Sequence, residues 1–228
     1  MNIVITGASK GIGKALAVKY ALAGHKVAVC ARNEKNLRAL AKKAPDRIFY
    51  QVCDVCNKEE LNEFYSFIKK NFKKIDILIN NAGVFMPGEI INEEEGVLEK
   101  LINTNLYSAY HMSRLIIPDM INRNSGQIFN MCSIASIKAY AHGGSYGISK
   151  FALYGMSKAM REELKPHGIR VTAVLPGATL TDSWGGTELP SSRFIKPEDI
   201  AEMIYAASIL SPNAVVEDII IRPQLGDL

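Results

Sequence analysis

The chain has 228 residues, of which 48% are hydrophobic and 22% charged, and its net charge is +4. That apolar content excludes a disordered chain, and so mild a charge offers no broad basic footprint for nucleic acid. The most basic run, KKNFKK at 69–74, reads as the solvated end of a helix, where cations complement the helix dipole.

NIVIT (2–6) reads as the first strand, and helical pattern follows over 12–23. KVAVC (26–30) is the second strand, with a helix over 34–43 ended by Pro45. IFYQV (48–52) is the third, followed by a helix over 58–72 and then DILIN (76–80). After a loop holding Pro87 and Gly88, helical pattern covers about 94–122. GQIFNM (126–131) is the fifth strand, and a long helix over 145–165 stops before Pro166-His167-Gly168. RVTAVL (170–175), a helix over 197–209 and VVEDIII (215–221) complete the series. Short strands apolar on both faces and separated by helices specify a parallel sheet covered on both sides. With right-handed crossovers this is an α/β fold, a doubly wound seven-stranded parallel sheet of the Rossmann kind. Residues 1–228 are expected to form one domain, with its chemistry at the carboxyl ends of the strands.

Four cysteines occur, Cys30, Cys53, Cys56 and Cys132. CDVC (53–56) has C-x-x-C spacing, but no second pair or histidine follows at a zinc-site interval, so buried or loop thiols and no metal are expected. The chain opens directly into a strand, without a leader pattern or an apolar run of membrane-spanning length. A cytoplasmic protein that binds neither membrane nor nucleic acid is expected.

TGASKGIG (6–13) joins the first strand to the first helix. Gly7, Gly11 and Gly13 are spaced G-x-x-x-G-x-G, not in the commoner G-x-G-x-x-G form. Glycine permits a tight turn and close approach of a pyrophosphate, and the free N–H groups of the helix start attract the anion.

This loop resembles that of the short-chain dehydrogenase/reductase family, and the resemblance extends along the chain in order. The family's Asp-Val after the third strand matches Asp54-Val55, and its Asn-Asn-Ala-Gly matches Asn80, Asn81, Ala82 and Gly83. Its helical asparagine matches Asn105, its serine Ser133, and its Tyr-x-x-x-Lys Tyr146 and Lys150. Its Pro-Gly matches Pro176-Gly177, with Thr181 downstream. The resemblance implies a nicotinamide cofactor that contacts Ile12 and the loop glycines, with Asp54 at the adenine amino group. It also implies that Pro176, Gly177, Thr179 and Thr181 hold the carboxamide. Gly83 lets the strand end lie close to the cofactor, while Asn81 supports either the cofactor or the sheet centre.

Where a carboxylate would select NAD at the end of the second strand, the chain has Ala31 and then Arg32. A guanidinium pairs with a 2′-phosphate that a carboxylate would repel. Arg32 and Lys10, helped by Ser9 and Asn33, therefore predict NADP(H).

Tyr146 and Lys150 lie four apart on one helix face, and a nearby ammonium is expected to lower the phenol pKa, as would a positively charged oxidised nicotinamide. Tyr146 would pass a proton to a carbonyl oxygen or take one from an alcohol. Ser133 would donate to the substrate oxygen, with Ser136 a second candidate. By resemblance, Lys150 also holds the nicotinamide ribose, and the Asn105 backbone carbonyl holds a water at a helix kink. The loop over about 178–196 reads as a lid, and Met86, Tyr140, His142 and Trp184 as the substrate wall.

The expected activity is hydride transfer between NADP(H) and a small carbonyl or secondary alcohol. A 3-oxoacyl carrier-protein reductase is the alternative, weakened because the last strand ends in RPQLGDL and not in a Gly-Gly turn. A catalytically silent NADP(H) sensor, which usually loses the tyrosine, lysine or serine that all survive here, and a Rossmann-like methyltransferase, which would leave Arg32 without a phosphate partner and Tyr146 and Lys150 idle, are the readings from other classes. The family commonly pairs its long central helices, so a homodimer or homotetramer is expected.

Overall fold

The computed structural model describes all residues from Met1 to Leu228. Seven parallel strands form one sheet in the order β3-β2-β1-β4-β5-β6-β7. They are β1 (Asn2–Thr6), β2 (Lys26–Ala31), β3 (Ile48–Val52), β4 (Ile77–Asn80), β5 (Gly126–Met131), β6 (Ile169–Pro176) and β7 (Asp218–Ile221). The order reverses between β1 and β4, where the chain leaves one half of the sheet for the other. Above that switch point a doubly wound sheet leaves a crevice at its carboxyl edge.

The helices are α1 (Gly11–Leu22), α2 (Glu34–Ala41), α3 (Lys58–Asn71), α4 (Val97–Ile102), α5 (Ser108–Ile121), α6 (Gly144–Leu164) and α7 (Pro197–Ser208). Their apolar faces cover the sheet on both sides. One core centres on Ile3, Ile5, Leu16, Tyr20, Val29 and Ile204, the other on Val4, Leu78, Phe64, Ile116, Ile128 and Val171. Period-2 alternation sends Val4 to one face and Ile3 and Ile5 to the other, which explains why the strands read as unbroken apolar runs. No helix is long and apolar enough to cross a membrane.

Two departures from the sequence expectation have local causes. The helix expected over 94–122 starts at Val97 and is split by a π turn at Asn103–Tyr107, where the Asn105 side chain accepts from Val84 N–H in the loop after β4. The last strand starts at Asp218, not at 215. Before it, the Val216 carbonyl accepts from the Thr172 hydroxyl instead of from a backbone ladder partner.

Candidate active site

The glycine loop is held from below by the start of the β4–α4 connection. The Thr6 hydroxyl accepts from the backbone N–H groups of Asn81 and Ala82, both at 3.1 Å. The Asn81 side-chain amide donates to the carbonyls of Thr6 and Gly7, both at 2.9 Å. Asn81 therefore supports the loop from the sheet centre. The glycines are required by space: Gly7 has φ +69° and a Cβ there would lie 2.7 Å from Ala82 Cα, while a Cβ on Gly13 would lie 2.5 Å from the Gly7 carbonyl oxygen. α1 then begins at Gly11 with no side-chain cap and no acid in its first turn. Uncapped N–H groups behind a glycine cradle are the donor set a pyrophosphate needs.

At the end of β2, Arg32 is exposed and takes part in none of the ion pairs. Lys10 is paired with Asp182 of the 178–196 loop at 2.8 Å. The Asn33 side chain caps α2 by accepting from Asn36 N–H, so its oxygen is already engaged. Ser9 is half-buried between them. Asp54 accepts from Cys56 N–H through Oδ1, and Val55 is buried beneath.

Tyr146 and Lys150 stand in the first two turns of α6, with Lys150 Nζ 5.8 Å from the Tyr146 ring centroid. Lys150 is buried, and its ammonium donates to the Met131 carbonyl at 2.8 Å. Ser133 and Tyr146 line the same cleft, and the Ser133 hydroxyl accepts from Ala135 N–H. Ser136 is fully buried with its oxygen accepting from Ser133 N–H; it supports Ser133 and does not face the cleft. The Asn105 side chain clasps Val84, accepting from its N–H at 2.8 Å and donating to its carbonyl at 3.1 Å, and donates to the Ser149 hydroxyl at 2.9 Å. It thus ties the loop after β4 to α6. A Cβ on Gly83 would meet Asn105 Oδ1 at 3.2 Å and Lys150 Nζ at 3.5 Å.

These groups open on one cleft of about 380 Å³. Ile12, Asn81 and Gly83 line its inner part, with Pro176, Gly177, Thr179 and Thr181 along one side. The outer wall is aromatic: Phe85 meets Tyr146 edge-on at 4.8 Å and stacks on Trp184 at 6.0 Å, and Trp184 packs on Phe194 at 5.2 Å. Tyr140 also lines it. The 178–196 loop is pinned at its base by Leu180 N–H to the Ile195 carbonyl at 2.8 Å and Ile195 N–H to the Ala178 carbonyl at 2.9 Å.

Against known proteins, the family model for short chain dehydrogenases matches residues 1–189. The chain belongs to the short chain dehydrogenase family. It is 32% identical over 224 residues to an uncharacterised oxidoreductase of Staphylococcus saprophyticus, covering 96% of each chain. It is 31% identical over 240 residues to the sepiapterin reductase of Chlorobaculum tepidum, covering 99% of this chain and 97% of that one. Among solved structures, the closed form of a serine dehydrogenase complexed with NADP+ superposes with a TM-score of 0.89 at 26% identity, covering 97% of this chain and 94% of that one.

In this short chain dehydrogenase, burial outweighs the expected influence of lysine on tyrosine. Desolvation pushes the Tyr146 phenol up to about 12, and the neighbouring Ser133 hydroxyl only partly offsets it. Lys150 is directed at the Met131 carbonyl, and burial pushes its own ammonium down to about 8. Within the protein alone burial is therefore the leading influence on the phenol, and the lowering expected from the Lys150 ammonium and an oxidised nicotinamide would act against it.

Met86 and His142 are also corrected. They line a separate depression outside the cleft, because Gly88 N–H donates to the His142 carbonyl at 2.9 Å and the His142 ring pairs with Glu89 at 3.2 Å. Phe85, Lys138, Asp227 and Leu228 line the cleft and were not foreseen. Phe85 carried a signal, lying two residues beyond Gly83 in a segment that leaves the strand end. Lys138 lies between Ser133 and Tyr140 and shares their segment, whereas Asp227 and Leu228 follow Trp184 by more than 40 residues, a placement no local pattern encodes.

Proposed function

We propose that this oxidoreductase transfers hydride between NADP(H) and the carbonyl or secondary alcohol carbon of a small substrate, with Tyr146 as the general acid/base. The observation that carries this reading is the meeting of Tyr146, Ser133 and Lys150 in a cleft that runs on toward the glycine loop. The exposed, unpaired Arg32 supports a phosphorylated adenosine ribose, as do solved relatives that hold NADP. When bound, the nicotinamide supplies or accepts the hydride.

The chain's own residues manage the proton. In reduction, the Ser133 hydroxyl donates to the substrate oxygen and stabilises the charge growing there. The Tyr146 phenol then hands its proton to that oxygen; in oxidation it takes the proton back. A phenol raised to about 12 is protonated at neutral pH, so the proton is in place for reduction, but it is a weaker acid than a free tyrosine until positive charge comes near it. Lys150 anchors the ribose and brings positive charge toward Tyr146 once it leaves the Met131 carbonyl. Asn105 keeps the Gly83–Val84 wall and α6 in register. Phe85, Trp184 and Tyr140 exclude water and favour a flat or apolar substituent on the carbonyl.

A carbonyl on a ring substituent is compatible with this wall, and the sepiapterin reductase relative supports including such compounds in a screen. The carrier-protein alternative is disfavoured because the last strand runs on into RPQLGDL without a Gly-Gly turn. Exposed Tyr107, Tyr110, Ile148 and Phe151 on the π turn, α5 and α6 support a homo-oligomer built through these helices. Three buried free cysteines, Cys30, Cys53 and Cys132, suit a reducing, cytoplasmic setting.

The test follows NADPH absorbance with a panel of ketones, diketones and ring-substituent carbonyls. Tyr146→Phe is expected to lower kcat by about 10²–10⁴-fold while NADPH still binds. Undiminished turnover in that variant would remove the assigned role.

A further inference from the structure

The helix that carries Tyr146 and Lys150 has no cap of its own. Gly143 precedes it with no side-chain hydrogen bond, and its first turn holds no acid. The missing acceptor comes from elsewhere in the chain. Glu93, in the loop after β4, accepts Ser145 N–H at 2.9 Å through Oε1 and the Ser145 hydroxyl through Oε2. Ser145 is buried, and Tyr146 is the next residue. A carboxylate at this place satisfies an orphan donor and complements the positive end of a 21-residue helix.

Two further features show that this contact is built. Gly88 and Gly144 are both packed so closely on the Glu93 carboxylate that neither could carry a Cβ without displacing it. The same two loops are joined a second time, by Gly88 N–H to the His142 carbonyl and by the Glu89–His142 pair. To hold this junction, His142 adopts a left-handed backbone with φ +61°. The loop bearing Glu93 also supplies Phe85, which meets the Tyr146 ring at 4.8 Å. One segment therefore holds both the backbone before Tyr146 and the face of its ring.

We propose that Glu93 is a positioning residue for Tyr146: by capping α6 from the loop after β4, it fixes the phenol between Phe85 and Ser133. This rests on the catalytic role given to Tyr146 above. It also explains why the two loops close over each other beside the cleft, and why Met86 and His142 face the clasp and not the substrate.

Glu93→Ala and Glu93→Gln, compared with the parent in NADPH-dependent carbonyl reduction, test it. Glu93→Ala is expected to lose about tenfold or more in kcat, because a small displacement of a reacting group is costly, with KM for NADPH changed by less than about twofold. Glu93→Gln keeps an oxygen acceptor for Ser145 N–H and should recover most of that kcat. Folded Glu93→Ala with parental kcat would overturn the proposal, as would Glu93→Gln impaired as severely as Glu93→Ala. Should Glu93→Ala fail to fold, Glu93→Asp draws the carboxylate back from Ser145 N–H and should lower kcat, and a parental kcat there with a faster-exchanging Ser145 amide would overturn the proposal. Hydrogen–deuterium exchange separates this from the functional reading. The Ser145 amide should exchange faster in Glu93→Ala than in the parent or Glu93→Gln, and equal rates would refute the clasp. A parent that shows this pattern yet reduces no carbonyl would sink the assigned reaction and leave the clasp standing.

Discussion

Replacing Arg32 with alanine is expected to weaken NADPH binding while NADH binding and the fold stay as they are. Arg32 is exposed and unpaired, so its truncation should change stability by no more than about 0.5 kcal/mol. The other groups near the end of β2 are already engaged: Lys10 with Asp182 and the Asn33 oxygen with the α2 backbone. Arg32 is thus the group free to meet a 2′-phosphate without first breaking an internal contact. A hydrogen bond to a charged group contributes about 1.5–3 kcal/mol, and solvent screening at an exposed position reduces this to about 1–2 kcal/mol. At about 1.4 kcal/mol per decade, Kd for NADPH should rise about 5–30-fold. The chain's single tryptophan, Trp184, lines the cleft, so energy transfer from it to bound NADPH or NADH reads both affinities in one titration. The NADPH penalty should shrink as salt is raised. Equal weakening of NADPH and NADH, or no change in either, would refute the assignment of the phosphate to Arg32.

Lys150→Met is expected to abolish turnover yet raise Tm at pH 7, because the folded parent buries an ammonium whose pKa has fallen from 10.5 to about 8. Between those two values the unfolded chain keeps the proton that the folded chain has lost, so parental stability should rise with pH there. The methionine variant should lack that rise in pH-dependent melts, and a variant no more stable than the parent would count against the buried charge. Tyr146 runs the other way: with its phenol raised from 10.0 to about 12, its contribution to stability is present below 10.0 and lost as pH climbs toward 12. In steady-state kinetics the same shift predicts reduction sustained across neutral pH and alcohol oxidation that rises with alkalinity; oxidation fastest at acid pH would contradict it. Gly13→Ala sets a Cβ 2.5 Å from the Gly7 carbonyl and should cost about 1–3 kcal/mol in denaturant melts, together with NADPH affinity. Parental stability in that variant would mean the loop is looser than its packing on Asn81 implies.

Much of this molecule is local, and local features can be read from the chain. The apolar runs placed all seven strands because residues buried on both faces leave no polar alternation to confuse the reading. The glycines between Thr6 and Gly13 announced a tight strand-to-helix turn, since glycine alone tolerates the close approaches found at Gly7 and Gly13. Arg32 stood out because its position is set by the strand it ends.

The tertiary structure decided what depends on packing between distant segments. Only docking of the 178–196 loop brings Asp182 to Lys10, and only the fold brings Glu93 to the start of α6 across 52 residues. The chain's length of spacing between Tyr146 and Lys150 put them on one helix face, but the direction of the lysine toward Met131 came from the neighbouring strand end. The protonation of that pair likewise follows from desolvation, a property of the surrounding volume and not of the residues themselves. Spacing along a chain dictates which groups can share a face; how strongly each holds its proton is set by the water that the completed fold removes.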